Sequence, residues 1–215
     1  MNMAITIMFF LSLLAAGSHP AGDKKCSLAA DSLPAVRGLR LGMPVGELEA
    51  HYEGMRVPLP NSNGYTEVVL FVEIDEGKPA VGPGRGIAMI KRQSFPEWAG
   101  VEKMIISFVD GRLADYTIQY TAGDPDWRSP EEFATSMTAS FGIPLKSWKK
   151  WGAYAMHLEC AGFKVEATVE NYAGHNAGIL RVTDTNALAL LQSRSEGVKR
   201  REEDEAERRR RVFKP

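Results

Sequence analysis

Residues 101–120 read VEKMIISFVDGRLADYTIQY, and the fold turns on this stretch. Asp110-Gly111 tolerates the positive φ angles of a tight primed turn, and β-branched and aromatic residues flank it, so the stretch predicts a β-hairpin. Met104, Ile106 and Phe108 on one arm and Leu113, Tyr116, Ile118 and Tyr120 on the other share an apolar face, with a slip of phase near Ala114 that a bulge absorbs. Lys103, Ser107, Asp115, Thr117 and Gln119 fall on the opposite, mixed face. A sheet with one apolar and one wet face needs a helix or a second sheet over its apolar side.

Downstream, Ser129-Pro130-Glu131-Glu132 combines a capping serine, proline at the first helical position and Glu three residues after the cap. The helix it opens carries Phe133, Met137 and Phe141 on one stripe and stops at Gly142-Ile143-Pro144. Residues 155–170 alternate Met156, Leu158, Cys160, Phe163, Val165, Ala167 and Val169 with polar side chains, which predicts a second hairpin. Its two-residue turn, Ala161-Gly162, keeps Cys160 and Phe163 on one inward face. Residues 172–178 read as loop and 178–182 as a last strand.

Upstream, Leu41, Val45, Leu48 and Tyr52 have helical spacing behind Pro44, which suits a first helical position, and Gly54 is a natural stop. Residues 65–74 and 87–93 read as strands, separated by the glycine- and proline-rich loop 75–86. The order helix, strands, hairpin thus occurs twice: MPVGELEAHYEGMRVPL and SPEEFATSMTASFGIPL share a starting proline, an apolar residue four positions on and a glycine stop before Pro-Leu. The expected fold is α+β, with two helix-plus-antiparallel-strand repeats, about 37–120 and 129–183, forming one antiparallel sheet with both helices on one face. A charged C-terminal helix follows.

The ends differ from this 37–183 domain. Residues 5–16, ITIMFFLSLLAA, form an apolar run too short to span a bilayer comfortably, and small residues follow it. Residues 1–17 therefore read as a signal peptide, with a buried core helix as the alternative, and 18–36 as a lead-in. Export makes a disulfide between Cys26 and Cys160 the expectation, against two unpaired thiols. Residues 184–215 form a tail that becomes SRSEGVKRREEDEAERRRRVFKP, a solvated helix laced by ion pairs or a docking element ending in Phe213.

Composition excludes little: 26 basic against 27 acidic side chains give a net charge of −1, so nothing global points to nucleic acid or to an anionic membrane. No integral membrane segment is expected once the leader is removed. His19, His51, His157 and His175 have no metal-ligand spacing, no G-x-S-x-G elbow exists, and Pro83 spoils the 82–86 glycine cluster as a phosphate loop. No catalytic residue, metal or cofactor is expected. The binding signals are local. Trp98, Trp127, Trp148 and Trp151 lie in or near connections, and KSWKKW at 146–151 interleaves cations with indoles. Trp127, Trp148, Trp151, Lys149, Gln119, His157 and Phe213 are the candidate partner-binding residues, with core staples as the alternative role for the indoles.

The RGLRLGMPVGELEA opening at 37–50, followed by strands, resembles the repeats of the β-lactamase inhibitor protein fold and of the SmpA/OmlA (BamE-type) domains. Pro44 stands where relatives often place a Ser or Thr cap, and the tail lies outside the likeness. The resemblance implies an exported, non-enzymatic protein that binds a protein partner through its exposed sheet face. The alternative from the sequence is a small-ligand-binding protein or hydrolase with a pocket near the 75–86 loop.

Overall fold

The computed structural model describes residues 26–52, 55–72, 85–90, 100–120, 126–143, 145–172 and 174–212. The expected signal peptide, Phe213, Trp98 and all but the last two residues of the 75–86 loop lie outside them. In chain order the elements are β1 (Cys26–Ala29), α1 (Val45–His51), β2 (Tyr65–Val72), β3 (Arg85–Ile90), β4 (Val101–Val109), β5 (Arg112–Tyr120), α2 (Pro130–Phe141), β6 (Lys149–Trp151), β7 (Ala155–Ala161), β8 (Phe163–Tyr172), β9 (His175–Asp184) and α3 (Thr185–Val212).

The described strands form one sheet in the order β1-β7-β8-β9-β5-β4-β2-β3, with β6 paired to β7 off that path. The expected α+β class and C-terminal helix are present, but the sheet is mixed rather than antiparallel. β1 runs parallel to β7 and β2 parallel to β3, both at the margins of the sheet. Parallel neighbours are joined by crossovers rather than tight turns, so no dipeptide signals them. Residues 26–29, read as lead-in, are a strand held at Cys26↔Cys160, where the disulfide closes with a Cα–Cα distance of 4.5 Å.

The central hairpin forms β4 and β5 around Asp110-Gly111, both at positive φ. Its register steps from Ser107↔Asp115 to Phe108↔Leu113, so Ala114 is the extra residue of a bulge. That bulge returns Leu113 to the buried face with Met104, Ile106, Phe108, Tyr116 and Ile118. The segment before α1 docks on the same hairpin: Gly42 N–H donates to the Leu113 carbonyl, Leu113 N–H to the Met43 carbonyl and Val45 N–H to the Gly111 carbonyl, at 2.8–3.0 Å. Pro44 is therefore the residue before the helix rather than its first, because the strand-like pairing of 42–45 holds it extended at φ −66°, ψ 148°.

α2 begins as the sequence implies, with Ser129 Oγ accepting from Glu132 N–H and Gly142 closing the helix in the left-handed region. Phe133 packs edge-on to Tyr120, with ring centroids 5.6 Å apart, and lies against Gly178 of β9. β9 runs from His175, three residues earlier than expected, because Asn171 Oδ1 accepts from Gly174 N–H and turns the chain directly from β8. It pairs with β8 on one side and β5 on the other, and so joins the two halves of the sheet.

α3 starts where Asp184 Oδ1 accepts from the N–H groups of Asn186 and Ala187. Its 28 residues extend about 42 Å at 1.5 Å per residue. Arg194 latches it to the body, giving two hydrogen bonds of 2.8 Å to the Asp110 carboxylate and a third to the Asn63 carbonyl. Gly64 makes the latch possible, since a Cβ there would collide with the Asp110 carboxylate and the Arg194 guanidinium. Further along, Lys199–Glu203, Arg209–Glu205 and Arg211–Glu207 pair one turn apart on exposed surface.

Two outcomes follow from these contacts. A Cβ at Gly178 would lie 2.6–2.9 Å from the Phe133 ring, so Gly178→Ala should destabilise the protein by about 1–3 kcal/mol in urea unfolding, whereas Gly46→Ala, with open space around it, should not. The hydrogen bond from Arg194 holds the Asp110 carboxyl below its ordinary value of 3.8, so the latch stabilises at neutral pH and weakens as pH falls through that lowered value. Acidification below pH 3.8 should lower the amide protection factors, taken against intrinsic exchange at the same pH, in the first turns of α3, and Arg194→Gln should reproduce the loss of protection at neutral pH.

Candidate binding face

Strand pleating sends alternate side chains of every strand to the side away from the core. The register aligns them in cross-strand rows. One row reads Lys149, His157, Glu166, Arg181, Thr117 and Ile105 across β6, β7, β8, β9, β5 and β4. The next reads Glu159, Lys164, Thr183, Asp115, Ser107 and Glu67. A third reads Trp151, Ala155, Thr168, Ile179, Gln119 and Lys103. Neighbouring strands lie about 4.8 Å apart, so long side chains of opposite charge meet along and between rows.

Asp115 is the deepest charged group of the face, with its side chain 7% exposed. Thr183 Oγ1 donates to its Oδ2 at 2.5 Å and Arg181 Nε donates to the same oxygen at 2.8 Å. Partial burial works against the charge of Arg181, but the hydrogen bond and the charge of Asp115 outweigh it and raise the guanidinium pKa. Beside them Tyr65 Oη donates to Glu67 Oε2 at 2.9 Å and lies 3.1 Å from Ser107 Oγ. Burial pushes the Tyr65 phenol up, the Ser107 contact lowers it and Glu67 raises it further. Lys164 pairs with Glu166 at 2.9 Å and sets its ammonium 4.6 Å from the centroid of Trp151. His157 stands edge-on to the same indole, with centroids 6.0 Å apart.

The candidate residues read from the sequence separate by location. Trp151, Lys149, His157 and Gln119 are brought onto this face or its edge, with His157 Nδ1 buried and without a hydrogen-bond partner among the described residues. Trp148 is a core residue, 5% exposed, and Trp127 packs on Phe133 of α2 at 5.1 Å, so the first indole serves the core and the second staples the segment before α2 to that helix. Asp115, Arg181 and Thr183 form the network that sequence reading passed over. The alternation of Ile179, Leu180, Arg181, Val182 and Thr183 is its only signal. Among the described residues, no group of three or more His, Cys, Asp or Glu side chains could hold a metal ion, and no helix is long and apolar enough to cross a membrane.

Comparison of the chain with protein-family models, with curated proteins and with solved structures returned no match.

Asp115 holds two donors, so Asp115→Ala should cost about 1–3 kcal/mol by leaving Thr183 and Arg181 without their acceptor. Thr168→Ala removes only a 3.5 Å contact to the Ile179 carbonyl and should change stability by no more than about 0.5 kcal/mol, both read by urea unfolding.

Proposed function

We propose that the chain is an exported, non-enzymatic binding protein that engages a protein partner with the polar face of its sheet. The observation that carries this reading is the arrangement around Arg181. Its side chain is 48% exposed, yet Asp115, itself held by Thr183, fixes its position, and three strands, β5, β8 and β7, supply Gln119, Thr117, Glu166, Lys164 and His157 around it. Polar groups set on paired strands lose little freedom when a partner docks, and that preorganisation is what a recognition surface requires.

Export is supported by the apolar leader sequence at 1–17 and is compatible with the Cys26–Cys160 disulfide, which joins residues 134 apart in sequence. The likeness to the β-lactamase inhibitor protein and SmpA/OmlA folds supports the same reading, with two helix-plus-strand units whose helices cover one side of the sheet. The contact of Tyr120 with Phe133 of α2 and with Arg37 ahead of α1 favours that arrangement. Gly42 and Met43, the motif carrying the likeness, pair with Leu113 at the centre of the first unit.

Immobilised protein, a Gln119→Arg/Glu159→Arg variant and a form ending after Val198 should be compared as baits for an envelope extract. The account predicts a captured protein that is retained by the shortened form and lost with the two face substitutions. Capture that survives both substitutions and disappears with the tail would transfer the binding role to α3.

A further inference from the structure

We infer that the β6–β7 hairpin is a separate docking edge for an anionic lipid surface. Residues 145–154, LKSWKKWGAY, contain Lys146, Lys149 and Lys150 and no carboxylate. Three of the seven large hydrophobic side chains exposed among the described residues fall in this short stretch: Leu145 at 40%, Trp151 at 58% and Tyr154 at 75%. Within the hairpin, β6 lies off the main path of the sheet and pairs only with β7, and the turn, Gly152 to Tyr154, is exposed. Trp148, buried between the lysines, anchors the stretch to the core. Apolar and cationic groups are thus carried outward on a rigid root.

The chemistry of the exposed groups selects the occupant. Trp and Tyr have apolar bodies and polar tips, which suit the headgroup level of a bilayer. The cations here are all lysines. Protein interfaces favour arginine and are depleted in lysine, whereas a lysine lying on a membrane covers apolar surface with its stem and leaves its ammonium among lipid phosphates. Lys150 pairs with Glu131 at 2.7 Å, but the pair is open to solvent, the side chains being 60% and 41% exposed, so lipid phosphate can exchange for the carboxylate. Trp151 is already restrained by Lys164 and His157, which lowers the entropy lost on docking. With a net charge of only −1 the chain has no long-range attraction to an anionic surface, so adhesion is local and weakens with salt.

The test is co-sedimentation with vesicles of phosphatidylcholine mixed with phosphatidylglycerol, and of phosphatidylcholine alone, with tryptophan emission followed in parallel. The protein should bind the anionic vesicles with a blue shift and leave the neutral ones. Neutralising each lysine as Gln should lower binding about fivefold per charge. Trp151→Ala/Tyr154→Ala should abolish the blue shift with the circular dichroism of the fold unchanged, while Leu59→Ala, an exposed apolar side chain elsewhere, should change neither. The Gln119→Arg/Glu159→Arg variant should still bind vesicles, which separates this edge from the proposed protein-binding face. Equal binding to neutral vesicles, binding indifferent to the hairpin substitutions, or no binding at all overturns the inference. So does a hairpin whose substitution removes only a protein partner.

Discussion

The pairing of β5 with β9 is the interaction on which the rest of the molecule depends. β9 is the last strand of the sheet in sequence, yet it sits at the centre, between β8 and β5. Tyr116↔Val182 and Ile118↔Leu180 place four buried side chains on its core side, and Asp115↔Thr183 and Thr117↔Arg181 place polar ones on the other. Because side chains alternate with a period of two, a slip of one residue would turn Arg181 and Thr183 into the apolar core and Leu180 and Val182 out of it. The buried Asp115 carboxylate, held by both Arg181 and Thr183, favours one register from the polar side as the apolar contacts do from the core side.

Each half of the sheet is then locked to that centre by its own device. In the first half the 42–45 segment pairs with the start of β5 and delivers Leu48 and Tyr52 of the α1 region to the core, where Tyr52 Oη donates to the Arg37 carbonyl at 2.6 Å. In the second half Phe133 of α2 fills the space over Gly178, and the disulfide fixes β1 beside β7. Closing a loop of that length contributes about 5 kcal/mol in the chain-entropy treatment, enough to matter for a margin strand of four residues. The consequence for function is that one side of the sheet is committed to the core, and the other carries charged rows on a scaffold with few ways to deform.

Turns and caps were legible because their chemistry is local. Asp110-Gly111, Ala161-Gly162, Ser129-Pro130 and Gly142 act where the sequence places them, and the phase slip at Ala114 appears as a bulge. The inward direction of Cys160 also follows from a turn of only two residues. What escaped reading is nonlocal. Nothing in CSLA announces a parallel partner in β7, and nothing in the β2 and β3 sequences announces that they run parallel to each other. Asn171 and Gly174 build a tight turn in a segment whose composition reads as loop, which hid the start of β9. Among the candidate site residues, the two indoles of KSWKKW have opposite fates, Trp148 inward and Trp151 outward. A short turn at 145–147 followed by three strand residues decides this, and helix or strand periodicity alone does not assign it.

The central claim is that the polar face, rather than the tail, is the recognition surface. Site-specific photo-crosslinking in the intact cell envelope tests it most directly, with the reactive group placed in turn at Thr117, in the row of Arg181, and at Glu202, on the exposed outer part of α3. The account predicts a defined crosslinked protein from position 117 and none from position 202. Crosslinks from position 202 with none from position 117 would contradict it.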